Sequence, residues 1–76
     1  MNDIPLSSLL PGQRAVVCGS SATGETRRRL QDLGFIQGAS VACLGRSTLG
    51  DPSAYRICGA VIALRAEDSG RVMVAL

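Results

Sequence analysis

The chain has 76 residues, 46% of them hydrophobic and 18% charged, with a formal charge of +2 and no histidine or lysine. A chain this short has room for one core, and that core is marginal: folding buries only about 60–65% of the surface exposed by the unfolded form. The balanced charge gives no long-range field to gather nucleic acid, and lack of histidine removes the usual neutral-pH acid–base and the commonest metal ligand.

Leu6, Leu9 and Leu10 precede a Pro11-Gly12 turn, and a one-turn helix around Ser7 to Leu10 is expected to plug one end of the fold. Gln13 to Cys18 is the first convincing strand. The loop from Gly19 to Gly24 is rich in small residues and offers several N-caps for the helix that follows. It lacks the Gly-Lys-Ser/Thr ending of a phosphate loop. Within the helix, Glu25 with Arg29 and Arg28 with Asp32 are i,i+4 pairs able to support it. Leu30 and Leu33 share one face, Gly34 stands where a left-handed cap ends a helix, and Phe35 is placed to pack back over the last turn. These three apolar residues are expected to seal the helix against the sheet.

Val41 to Leu44 reads as the next strand, followed by a loop signalled by Leu49-Gly50-Asp51-Pro52. Tyr55 to Cys58 alternates polar and apolar residues and reads as an edge or half-exposed strand. Gly59 marks a tight turn into an antiparallel strand over Ala60 to Arg65. Glu67 to Gly70 is a tight connection, read as a turn of 3₁₀ helix, and Arg71 to Val74 closes the chain. The longest apolar stretch, Ala60 to Leu64, falls far short of the ~20 residues that span a bilayer. No N-terminal secretory pattern is present, so a cytoplasmic location is expected. About five short strands with brief turns and one inserted α-helix make a mainly β chain, a small, partly open β-barrel, treated as a single domain over residues 1–76.

The cysteines, Cys18, Cys43 and Cys58, form no CxxC pair and each lies in or beside an apolar run. They read as small buried hydrophobes, and no metal site is assigned to them. Only Phe35 and Tyr55 are aromatic, so aliphatic side chains must fill the interior. That leaves little space for an organic cofactor, and none is expected. The arginine run Arg27-Arg28-Arg29 cannot form one stripe, because consecutive helix residues lie 100° apart, and no aromatic platform accompanies it. It reads as a solvated or protein-docking face rather than a nucleic-acid site. With no nucleophile–base pair in the sequence, no enzymatic activity is expected.

The order Arg27-x-x-Leu30-x-x-Leu33-Gly34-Phe35-x-x-Gly38-x-x-Val41, then Leu49-Gly50-Asp51-Pro52, then Ala63-Leu64-Arg65, then Val72-x-Val74, resembles the FeoA family of bacterial ferrous iron uptake. The resemblance runs from about Leu6 to Val74. It implies an SH3-like barrel carrying a helix after the first strand, and as partner the cytosolic GTPase region of the FeoB membrane permease. Candidate partner-binding residues are Arg28 and Arg29 on the helix, with Leu49, Gly50, Asp51 and Pro52 in the loop. A nucleic-acid-binding barrel and a metal-sensing domain, of the kind found at the C-terminus of iron-dependent regulators, are the alternatives.

Overall fold

Alternating burial along five of the strands sets the architecture. In β2 (Arg14–Ser20), Ala15 and Val17 are buried while Arg14 and Val16 face outward; in β3 (Ser40–Arg46), Val41 and Cys43 are buried. Ser53, Tyr55 and Ile57 of β4 (Ser53–Ile57), Leu64 of β5 (Ala60–Leu64), and Val72 and Val74 of β6 (Val72–Ala75) complete the inner face. This computed structural model describes residues 3–76. A further strand, β1 (Asp3–Pro5), joins these five in one antiparallel sheet of order β1-β6-β2-β3-β4-β5, open rather than closed on itself.

The chain is mainly β, as its alternation implies, but two strand assignments change. β1 is a sixth strand, too short to show alternation and ending on a proline; it pairs Ile4 with Val74 at the sheet edge, where a missing amide is tolerated. Of the two readings of β4, half-exposed holds and edge does not: it lies between β3 and β5, and its polar member Arg56 points outward. β-Bulges at Cys18 and Leu44, where the register shifts by one residue, bend the long strands.

The helix α1 (Gly24–Asp32) ends in a Schellman cap. The Phe35 amide donates to the Leu30 carbonyl and the Gly34 amide to that of Gln31, both at 3.0 Å, with Gly34 at φ +108°. This geometry turns Phe35 back into the core beside Leu30, both almost fully buried. Leu33 is only half-buried, so the seal rests on Leu30 and Phe35, with Leu33 at its margin.

At the other end, the short 3₁₀ turn lies over Leu6–Ser8, starting one residue and ending two residues earlier than the leucine pattern suggested, and buries Leu6 and Leu9 completely. It is fastened by the Arg46 guanidinium, which donates to the carbonyls of Ser7 and Leu9 at 3.3 and 3.2 Å, and by the Tyr55 hydroxyl, 3.5 Å from the Leu6 carbonyl. The Glu67 region forms one turn of α-helix, α2 (Ala66–Ser69), rather than a 3₁₀ turn.

Candidate functional site

Six residues, Arg28, Arg29 and Leu49 to Pro52, were singled out by sequence. The structure gives them different roles. The β3–β4 loop is closed by the Ser47 amide donating to the Pro52 carbonyl at 3.0 Å, and its tip is turned by the Gly50 amide donating to the Ser47 carbonyl at 2.8 Å. Gly50 adopts φ +86°, which an L side chain rarely tolerates. Leu49 sits at this tip and is 92% exposed, more than any other large hydrophobic residue described. It does not fold back onto the sheet. A rigid turn thus holds an aliphatic side chain in water.

Asp51 is engaged inside the fold. Its carboxylate Oδ1 accepts a hydrogen bond from the Ala66 amide, at the start of α2, at 2.8 Å. Asp51 thus caps a helix that follows later in the chain. Arg29 is engaged too. Its guanidinium pairs with the Asp68 carboxylate of α2 at 2.7 Å, rather than with Glu25 one turn earlier. The expected pair between Arg28 and Asp32 is also not formed, and among the described residues Arg29–Asp68 is the ion pair.

α2 therefore links the two candidate segments: the loop holds its first amide and α1 holds its Asp68. The sequence showed a helical turn here, but nothing in so short a segment without a hydrophobic stripe signalled that it bridges loop and helix. Arg28 lines a shallow depression of about 330 Å³ with Glu25, Asp32 and Leu33. Among the described residues Arg28 makes no ion pair, and the depression sets it beside a half-buried leucine. Among the six, Leu49 and Arg28 are the side chains left available for docking.

The cysteines depart from expectation. Only Cys43 is buried; Cys18 is half-buried at its bulge, and Cys58 is exposed. Burial and the neighbouring Asp3 carboxylate push the Cys18 thiol above its ordinary value. Cys58 and Gly59, with φ of 50° and 77°, form the two-residue turn of the β4–β5 hairpin, in which Ile57 pairs with Ala60. Both central residues have positive φ, as a type I′ turn requires, and a cysteine stands where asparagine or glycine is usual. The Cys58 Sγ lies over Gly34, 3.8 Å from its carbonyl oxygen, so this turn rests on the cap of α1. Among the described residues no three His, Cys, Asp or Glu side chains converge as metal ligands, and no helix is long and apolar enough to cross a membrane.

Comparison with known proteins places the geometry in context. The FeoA domain model matches residues 4–76. Over 71 residues the chain is 34% identical to a Porphyromonas gingivalis protein described as an Fe(2+) transport protein A/Fe(2+) transporter FeoB fusion; the match covers 93% of this chain and 8% of that protein. The chain thus spans only a small part of the fusion protein's length. Among solved structures, the FeoA protein of Chlorobium tepidum superposes with a TM-score of 0.87 at 35% identity, over 93% of this chain and 68% of that one. Stenotrophomonas maltophilia FeoA, solved as a zinc complex and described as a prokaryotic SH3 domain protein, gives 0.81 at 31% identity over 92% and 87%. The fold is accordingly SH3-like.

Proposed function

Because the chain belongs to the FeoA family of ferrous iron transport proteins, we propose that it is an accessory module that docks on the GTPase region of a FeoB-type permease. One observation carries the docking surface: Leu49, 92% exposed at the tip of a loop whose base is hydrogen-bonded to α2. An apolar side chain held in water gains free energy when covered, and a loop already rigid loses little entropy on binding. Arg28, on the helix joined to that loop through α2, supplies a guanidinium for a partner carboxylate. Arg29 and Asp51 position this surface by holding α2. Fusion of the two kinds of protein in P. gingivalis supports association, since a single chain keeps both in proximity.

The module acts by binding rather than by chemistry of its own. The sequence has no histidine, and no nucleophile with an adjacent base is evident. Titration calorimetry against the soluble GTPase region of the permease tests the reading. Leu49→Ser is expected to weaken binding about tenfold, equivalent to about 1.4 kcal/mol. Arg28→Glu is expected to weaken it by a similar factor and to blunt its salt dependence. If both folded variants bind as tightly as the parent protein, the loop–helix surface is not the docking site.

A further inference from the structure

The sheet has an outward face that the docking surface above does not use. Cross-strand register places Arg14 opposite Ala42, Ala42 opposite Arg56, and Arg56 opposite Val61, so these four residues form one row across β2, β3, β4 and β5. The buried neighbours of each strand point the other way, which puts the whole row on the solvent side. Two guanidiniums therefore rise on either side of an alanine, their Cα atoms about 10 Å apart at two strand spacings. The small side chain of Ala42 leaves a trough between them, part of an open groove of about 600 Å³ that Leu44, Cys58 and Gly59 also line. Leu44 and Val61, 42% and 61% exposed, add apolar surface.

The charge here is unbalanced, in contrast to α1. None of the six acidic side chains stands in this row: Asp3 is on β1, Glu25 and Asp32 on α1, Asp51 in the loop, Glu67 and Asp68 on α2. On α1, Arg28 and Arg29 line a depression with Glu25 and Asp32, and Arg29 pairs with Asp68 of α2. Among the described residues, neither Arg14 nor Arg56 has a carboxylate within ion-pair distance. The third arginine of these strands, Arg46, is committed to the carbonyls of Ser7 and Leu9. Asp3 shares the outward face but belongs to the neighbouring row of Asp3, Ala75 and Val16, two strands from Val16, so the row of Arg14, Ala42, Arg56 and Val61 itself is purely cationic, with an apolar fringe.

We propose that this face receives an acidic, extended segment of a protein partner, its carboxylates held by Arg14 and Arg56 on either side of Ala42. Alternate side chains of an extended chain lie about 7 Å apart on one face. Two flexible arginines anchored about 10 Å apart can meet such a pair, each with the bidentate geometry that guanidinium offers carboxylate. The aliphatic stems of the partner's same-face side chains contact Leu44 and Val61, while the intervening residues point away from the sheet. Phosphate-rich partners fit less well, because no aromatic side chain stands on this face to stack with bases.

The test is an amide-resolved NMR titration of the ¹⁵N-labelled full chain with a capped synthetic octapeptide alternating Glu and Val. Shifts are expected to centre on Arg14, Ala42, Arg56 and Val61. The double variant Arg14→Ser with Arg56→Ser, its fold confirmed by the unchanged remainder of the spectrum, should bind at least tenfold more weakly. The same peptide with Gln for Glu should lose binding by a similar factor, and Leu49→Ser should leave it unchanged. That last arm separates this surface from the loop, so either can fail without the other. Absence of shifts on the row, a double variant binding within twofold of the parent, or shifts centred on Arg27 to Arg29 would overturn the proposal. A single-stranded thymidine oligomer that shifted the same row at lower concentration than the peptide would assign the face to nucleic acid and overturn it equally.

Discussion

An aspartate whose carboxylate already accepts the Ala66 amide cannot be offered to a partner without breaking that bond. Asp51→Ala is therefore expected to cost about 0.5–2 kcal/mol, the usual penalty for removing an acceptor from the first turn of a helix. Asp51→Asn keeps an acceptor and should stay near the parent stability; thermal unfolding of the two variants distinguishes them. The cysteines give a second residue-scale prediction. Reaction with a thiol reagent at neutral pH should label exposed Cys58 first and Cys18 more slowly, since its thiol is pushed up and less of it is thiolate. Cys43, buried in the core, should react only on unfolding. Equal rates at all three would contradict the placement. The sequence shows three cysteines near apolar runs, but hydropathy alone does not distinguish an inward position from a bulge or a turn. The Cys43 environment follows from strand alternation, whereas those of Cys18 and Cys58 depend on a register shift and a positive φ.

For α1 the sequence is most informative, because the apolar spacing, the glycine cap and the returning aromatic all describe one local structure. The cap forms as the spacing implies, with Phe35 and Gly34 donating back to the last turn. Leu30→Ala should destabilise by ~2–5 kcal/mol as a fully buried leucine, while half-buried Leu33→Ala should cost about half as much or less. Urea denaturation of both variants orders them, and an equal loss would mean that Leu33 is core. Gly34→Ala meets two obstacles: φ +108°, and a Cβ that would lie 2.9 Å from the Cys58 Sγ. Removing the sulfur by Cys58→Ala should recover the steric part of the loss but not the backbone part. What the helix sequence does not reveal is the destination of Arg29. Its i−4 partner Glu25 is visible in one dimension, while Asp68 is 39 residues away and becomes a neighbour only after α2 has folded.

Across the whole molecule, the open sheet divides the surface into two regions with different charge. α1, α2 and the β3–β4 loop carry mixed charge around an exposed leucine, and the outward face of the central strands carries arginines alone. The mainly β class was legible because the strand runs are short, apolar and separated by glycine- or proline-marked turns. The sheet order was not: that β6 sits between β1 and β2 is set by contacts between the two ends of the chain, which periodicity does not encode. Among the candidate site residues, the exposure of Leu49 follows from the turn residues around it, while the engagement of Asp51 and Arg29 arises from α2 packing between loop and helix. In the proposed surface they act as supports, with Leu49 and Arg28 as the proposed contact residues.

The most direct measurement of that central claim is an amide-resolved NMR footprint of the permease GTPase region on the ¹⁵N-labelled chain. The account predicts that the largest changes fall on Leu49, Gly50 and Arg28, with smaller ones on Ala66 and Asp68 of the bridging helix. A footprint that leaves Leu49 and Gly50 unchanged while the complex forms would contradict it.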